Sequence, residues 1–232
     1  MDPRRALSFG AAAEAYAAAR PSYPVDAVRF VLPVGARRVL DLGAGTGKLT
    51  SVLLDLGLDV VSVEPDDAML AHVDPRAQAL QGTAEDVPVE DASVDAVVVG
   101  QAWHWFDQDA AMASVRRVLG PGGTLGLLWN VIDDSDGWPR ALAEHIGMED
   151  RLSLVHEVDT PYDRAAGAWR RQLFRHEQPA DAELVVANMA SRSVVIVLPE
   201  AERTVRLERA REIVPTGHFT LPWVTDAWVT TP

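Results

Sequence analysis

The sequence predicts an α/β protein built on a doubly wound, mostly parallel sheet, and three observations carry that prediction. Short runs rich in β-branched residues alternate with helix-length segments between Arg37 and Asn130. The runs are apolar almost throughout instead of alternating with polar residues, as expected of strands buried on both faces. A turn containing three glycines joins the first run to the first helix. Parallel neighbours need a crossover of about a dozen residues or more, and the intervening helices supply it.

Each element follows in order. Met1 to Arg20 is alanine-rich with two early arginines, but Glu14 falls where a signal peptide would carry its apolar core, so the segment reads as an amphipathic helix. The first strand is Arg38-Val39-Leu40-Asp41-Leu42, followed by a helix over Gly47–Leu56. The second strand is Val60–Glu64, followed by a helix over Asp66–Val73. Val94–Val99 and Thr124–Trp129 are further strands, with a helix over Asp109–Leu119 between them. After Asn130 the periodicity loosens: Asp133 to Gly137 is a polar turn, and the stretch to about Arg164 reads as short helices. A strand is placed around Gln172 to His176, with helices over Ala182–Met189 and Glu200–Val214, the latter opening after Pro199. Alternation of aromatic and β-branched residues over Phe219–Val229 predicts a final strand, in which Pro222 calls for an edge position or a bulge.

Composition limits the function classes. The formal net charge is -13 over 232 residues, and it is spread evenly: residues 1–130 hold 10 basic and 17 acidic residues, and residues 131–232 hold 11 and 17. With no basic half, affinity for a phosphate backbone or an anionic membrane surface has no source, so neither nucleic acid nor membrane is expected as a partner. Zero cysteines exclude disulfides, thiolate metal sites and a cysteine nucleophile, and fit a reducing, cytoplasmic setting. No apolar run approaches the roughly 18 residues of a membrane span.

The most informative segment is Val39-Leu40-Asp41-Leu42-Gly43-Ala44-Gly45-Thr46-Gly47-Lys48. Its glycines allow the backbone to approach a ligand where a Cβ would collide. A Walker A loop is excluded, because Leu42 stands at the first glycine position and Leu49 at the magnesium-binding hydroxyl. The dinucleotide fingerprint also fails, since Lys48 occupies the place of its third glycine. Asp41 beside the loop would repel a pyrophosphate but suits a ligand carrying an ammonium group or hydroxyls. Glu64, 23 residues on, ends the second strand, where an acid can accept both ribose hydroxyls of an adenosine. Adenosine with a positively charged tail describes S-adenosylmethionine.

Here the sequence resembles the class I S-adenosylmethionine-dependent methyltransferases, in particular their small-molecule branch with a ubiquinone/menaquinone-biosynthesis-like core. Val39–Thr50 resembles that family's first motif and Val63-Glu64-Pro65 its second-strand acid. Gly82-Thr83-Ala84-Glu85-Asp86-Val87-Pro88 resembles its Gly-x-Ala-Glu-x-Leu-Pro motif, with Val87 in place of leucine. Arg117-Val118-Leu119-Gly120-Pro121-Gly122-Gly123 resembles the turn before its fifth strand. Phe9 to Pro24 and Gln101-Ala102-Trp103-His104-Trp105-Phe106-Asp107 resemble segments of one subgroup.

The resemblance implies a seven-stranded Rossmann-like methyltransferase fold. It divides a single domain, 1–232, into an N-terminal lid (1–30), a cofactor-binding core (37–130), a substrate cap (131–168) and a C-terminal part of the core (169–232). It implies S-adenosylmethionine as cofactor, S-adenosylhomocysteine as product and a small-molecule acceptor. Gly43, Gly45 and Gly47, with Ala44 and Thr46 between them, would lie against methionine and ribose, with Asp41 near the amino group. Glu64, followed by Pro65, would bind the ribose; Met69 would pack on the adenine, and Ala84, Glu85 and Asp86 would meet its edge. Gln101 and Ala102 would floor the methyl-transfer pocket. Arg20 would pair with the methionine carboxylate while Tyr16 closes over the cofactor.

Two readings stand for Trp103-His104-Trp105-Phe106-Asp107: the aromatic residues cap the sheet, or they line the acceptor pocket with His104 as a general base oriented by Asp107. Trp129-Asn130 is expected at the pocket mouth, with Asn130 a polar contact. The remaining histidines form no metal-ligand spacing, so no metal is expected. Two other functions remain open from the residues: a non-catalytic S-adenosylmethionine-binding protein and an NAD-dependent oxidoreductase.

Overall fold

The structure is a computed structural model that describes residues 20–135, 137–146 and 168–232. Seven strands form one sheet in the order β3-β2-β1-β4-β5-β7-β6. They are β1 (Arg38–Leu42), β2 (Asp59–Glu64), β3 (Gln78–Gln81), β4 (Val94–Gly100), β5 (Leu119–Ile132), β6 (Arg170–Ala180) and β7 (Phe219–Thr230). Strands β1 to β5 pair in parallel, and β7 runs antiparallel to both β5 and β6. The helices are α1 (Val25–Val31), α2 (Lys48–Asp55), α3 (Asp67–Leu70), α4 (Gln108–Val118), α5 (Gly137–Ile146), α6 (Ala182–Ala190), α7 (Ser193–Ile196) and α8 (Glu200–Ile213).

Alternate strand residues feed opposite faces, as the pleat requires. Leu40, Leu42, Val61, Val63, Val97 and Val99 meet Ala111, Met112 and Val115 of α4 on one side. Val39, Val60, Ala96 and Val98 meet Val28 and Val31 of α1 and Leu49 and Leu53 of α2 on the other. The apolar runs thus belong to strands covered on both sides. A third cluster joins Ile132 and Trp223 to Leu142 of α5, Val185 and Met189 of α6, and Ala210 of α8.

Several boundaries differ from those expected, each for a local reason. Strand β3 carries no apolar run: Gln78-Ala79-Leu80-Gln81 is a largely exposed edge strand, paired among the described residues only with β2. The helix expected over Asp66–Val73 closes after Leu70, with Asp74-Pro75 disfavouring helical backbone just beyond it. Strand β5 begins at Leu119, which pairs with Val94 before a bulge, and it runs on past Trp129 to Ile132. Strand β7 lies inside the sheet and not at its edge. The β5 ladder ends at the Ile132–Trp223 pair, however, so at Pro222 only β6 remains as a ladder partner. The amphipathic helix assigned to the first twenty residues falls almost entirely outside the described residues, and so does most of the expected cap; α5 is the described helix within it.

Helix α1 sits close enough to β5 to exclude a side chain. A Cβ at Gly126 would stand 2.5 Å from Val31 Cβ. Gly126→Ala is therefore expected to lower unfolding free energy by about 1–3 kcal/mol, the cost of overpacking a filled core; unchanged stability in urea denaturation would show that α1 can move away.

Candidate functional site

Chain order reverses between β1 and β4: β1 leads outward to β2 and β3, and the chain then returns to lay β4 on the other side of β1. In open parallel sheets such a switch point leaves a crevice at the carboxyl ends of the strands, where ligands bind. The glycine turn, Glu64 and Gln101 all lie at those ends.

The turn leaves β1 with Gly43 N–H and Ala44 N–H both donating to the Val63 carbonyl, at 2.8 and 3.1 Å. Gly43, Gly45 and Gly47 have φ of 71°, 56° and 80°, a region that side chains resist. Space is short as well: a Cβ at Gly43 would meet Ala102 Cβ at 2.8 Å and the Phe106 ring at 3.0 Å, and one at Gly47 would meet Val73 Cα at 3.1 Å. The loop is therefore packed between the Gln101–Asp107 segment and the turn that follows α3. Met69, buried, has its sulfur 3.9 Å from where a Gly45 Cβ would be, so it borders the loop. Thr46 is buried, whereas Pro65 is exposed.

Beneath the loop are two acids in different surroundings. Asp41 is 1% exposed; its Oδ2 accepts from Thr50 Oγ1 at 2.6 Å, and Thr50 Oγ1 lies 2.8 Å from Ser62 Oγ. Burial pushes the Asp41 carboxyl up to about 7, against the hydrogen bond from Thr50, with the nearby Glu64 charge adding to the rise. Thr50 and Ser62, which sequence reading did not single out, are the polar residues that make this buried acid tolerable; their signal was a hydroxyl inside an apolar helix face and an apolar strand. Glu64, at the end of β2, accepts from Gly45 N–H at 2.9 Å and from Asp66 N–H at 3.2 Å. Its pKa is also raised by burial, with those two hydrogen bonds opposing. Asp66 caps α3, accepting from Ala68 and Met69 N–H.

The Ala84–Asp86 segment follows β3. Ala84 is buried, and the exposed Glu85 accepts from Asp107 N–H with Oε1 and from Ser114 Oγ with its carbonyl. Glu85 thus ties the segment to the start of α4, while Asp86 is exposed.

On the β4 side, Gln101 takes a φ of 62°, unusual for a residue with a side chain. Its Nε2 donates to the Asn130 carbonyl at 2.8 Å. Ala102 is half-buried and touches the position of the missing Gly43 side chain. The Trp103–Trp105 turn is a short 3₁₀ segment. Trp103 is 1% exposed and packs edge-on against Phe106, which makes it core. His104 is exposed, with its ring centroid 4.8 Å from that of the half-buried Trp105. Asp107 serves as the N-cap of α4, accepting from Ala110 N–H, a use for its carboxylate other than the expected orientation of His104.

Two expected contacts have other engagements. Asn130 is 2% exposed and hydrogen-bonded on both sides of its amide, so it is part of the framework and not an open polar contact at a pocket mouth. Arg20 donates through Nε to Ser191 Oγ at 3.1 Å and through Nη2 to the Ser191 carbonyl at 3.2 Å. Tyr16 lies outside the described residues. Among the described residues no three histidine or acidic side chains are grouped to hold a metal ion, and no helix is long and apolar enough to cross a membrane.

A doubly wound seven-stranded sheet with β7 antiparallel, a glycine turn after β1 and an acid ending β2 defines the Rossmann-like methyltransferase class. The model of the methyltransferase domain family matches residues 40–127. An uncharacterized methyltransferase of Mycobacterium tuberculosis is 45% identical, over 94% of this chain and 93% of that protein. An uncharacterized methyltransferase-like protein of Schizosaccharomyces pombe is 36% identical, over 81% of this chain and 78% of that one. A solved structure from Anaeromyxobacter dehalogenans shares the fold, with a TM-score of 0.66, 22% identity and coverage of 90% of this chain and 97% of that one. The chain belongs to the methyltransferase domain family and is an enzyme of the class I S-adenosylmethionine-dependent methyltransferases.

Proposed function

We propose that the crevice between β1 and β4 binds S-adenosylmethionine and that the protein, working in the cytoplasm, transfers the methyl group to a small-molecule acceptor, releasing S-adenosylhomocysteine. The observation that carries this is the pairing of a loop with no room for side chains at Gly43 and Gly47 with a carboxylate, Glu64, bound to that loop through Gly45 N–H. Backbone can then lie against the methionine and ribose, and Glu64 retains lone pairs for ribose hydroxyls. Asp41, buried below the loop, acts on a cationic ligand through its field and not by direct contact. Met69 and Ala84 offer apolar surface to the adenine.

When bound, S-adenosylmethionine supplies a methyl group already activated by its sulfonium. The residues therefore have mainly to align the acceptor and exclude water, which alone is a large part of such a rate enhancement. In this reading Gln101 and Ala102 floor the acceptor site, and His104, exposed beside Trp105, takes a proton from the acceptor. His104→Ala is expected to slow turnover on the order of 10²-fold while leaving S-adenosylhomocysteine affinity unchanged. The measurement is product formation across a panel of small carboxylic acids, phenols and amines; wild-type rates for the variant at every pH would reduce His104 to a surface residue. Tight binding of the cofactor with no turnover across the whole panel would count against a small-molecule acceptor of these classes.

A further inference from the structure

We propose that Thr225 and His176 are positioning residues for the methyl-transfer site: a hydrogen-bonded chain His176–Thr225–Asn130 fixes the Asn130 amide and backbone, which hold Ser22 and Gln101 beside the crevice. The chain crosses three adjacent strands. His176 Nε2 lies 3.2 Å from Thr225 Oγ1, Thr225 Oγ1 donates to Asn130 Oδ1 at 2.6 Å, and Asn130 Nδ2 donates to the Ser22 carbonyl at 3.1 Å. Asn130 and Thr225 are register partners, as are Phe174 and Thr225, so these side chains share one face of the sheet.

The direction of every bond follows from its far end. The Ser22 carbonyl can only accept, so the Asn130 amide must turn its nitrogen there and its oxygen toward Thr225. That oxygen can only accept, so the single hydroxyl proton of Thr225 is used on it. Thr225 then has lone pairs left, and His176 must donate from Nε2. Burial holds the His176 imidazole down at about 4, so near neutral pH it carries one proton, and the chain assigns that proton to Nε2. Thr225 is 0% and Asn130 2% exposed, so water does not readily replace a lost partner.

Asn130 delivers this order to two places. Its carbonyl accepts from Gln101 Nε2, which helps keep Gln101 in its left-handed backbone conformation at the end of β4. Its amide tethers Ser22, the neighbour of Tyr23. Tyr23 is buried against the same strand end: a Cβ at Gly100 would meet Tyr23 Oη at 2.5 Å and Leu49 Cδ2 at 3.4 Å. Residues 22–23 thus form a strap across the carboxyl ends of β4 and β5, beside the glycine loop. Its hold depends on β6 and β7, which lie on the other side of the sheet from the nucleoside-binding half.

The inference rests on the proposed function of the crevice, and the experiment separates the two. Release of S-adenosylhomocysteine is measured by stopped flow for wild type, Thr225→Val, Thr225→Ser and Leu142→Val, the last a core change in the remote third cluster. Thr225→Val keeps the shape and removes both bonds; its release is expected to be roughly tenfold faster, with Thr225→Ser and Leu142→Val close to wild type. Wild-type release from Thr225→Val, or failure of serine to rescue, overturns the positioning role alone. Absence of saturable binding by wild type overturns the functional reading and this one with it. Nitrogen NMR of His176 in the unmodified protein gives a second test independent of any variant: the Nε2–H tautomer is expected, and the Nδ1–H tautomer contradicts the chain.

Discussion

As pH rises from about 4 to about 8, the ligand-free protein is expected to lose on the order of 4 kcal/mol of folding stability that an Asp41→Asn variant does not lose. The folded-state pKa of Asp41 is raised from 3.8 to about 7 by burial. Over that window the folded state holds a proton that the unfolded chain has given up. The stabilisation is fully present below the unfolded pKa and disappears as pH climbs through the folded one. Glu64, whose pKa is also raised, adds to the slope with the same sign. A cationic ligand above the loop favours the ionised carboxylate, so ligand affinity should increase with pH through about 7 more steeply in wild type than in Asp41→Asn. Urea denaturation at several pH values, with calorimetry of S-adenosylmethionine, which carries the sulfonium charge, alongside, checks both. A wild type no more pH-sensitive than the variant would mean that Asp41 titrates as an ordinary carboxylate.

Glu64→Ala is expected to weaken S-adenosylhomocysteine binding by roughly 1.5–3 kcal/mol, the scale of hydrogen bonds to a charged group. The structure adds a second source of loss, because the same carboxylate holds Gly45 N–H and Asp66 N–H. Glu64→Gln should also bind weakly: both oxygens already accept, so the amide nitrogen would face a backbone donor. Calorimetry showing undiminished affinity in either variant would remove Glu64 from the ribose site.

The parts of this molecule legible in the sequence are those set by local chemistry. Arg38–Leu42 reads as a strand because Val39, Leu40 and Leu42 put apolar side chains on both faces, and the Gly43–Gly47 turn is glycine-rich because its three glycines take positive φ. Strand β3 could not be read, since an exposed edge strand of two glutamines carries no buried pattern. The role of Asn130 was also hidden. A polar residue at a strand end looks like a ligand contact until its partners are known, and these are Ser22, 108 residues away, and Thr225, 95 residues away. Asp107 and Trp103 were ambiguous for the same reason: whether an acid caps a helix or an indole enters the core is decided by tertiary packing. The resemblance implied a ligand contact for Arg20, and its guanidinium also has a protein partner, Ser191 at the end of α6, that no local pattern announces.

The most direct measurement is a crystal structure of the protein grown with saturating S-adenosylhomocysteine. The ribose hydroxyls are expected on the Glu64 carboxylate, with the adenine against Met69 and the amino-acid end over the Gly43–Gly47 turn. A nucleoside bound at another place, or none bound at saturation, would contradict the assignment of that crevice to the methyl donor.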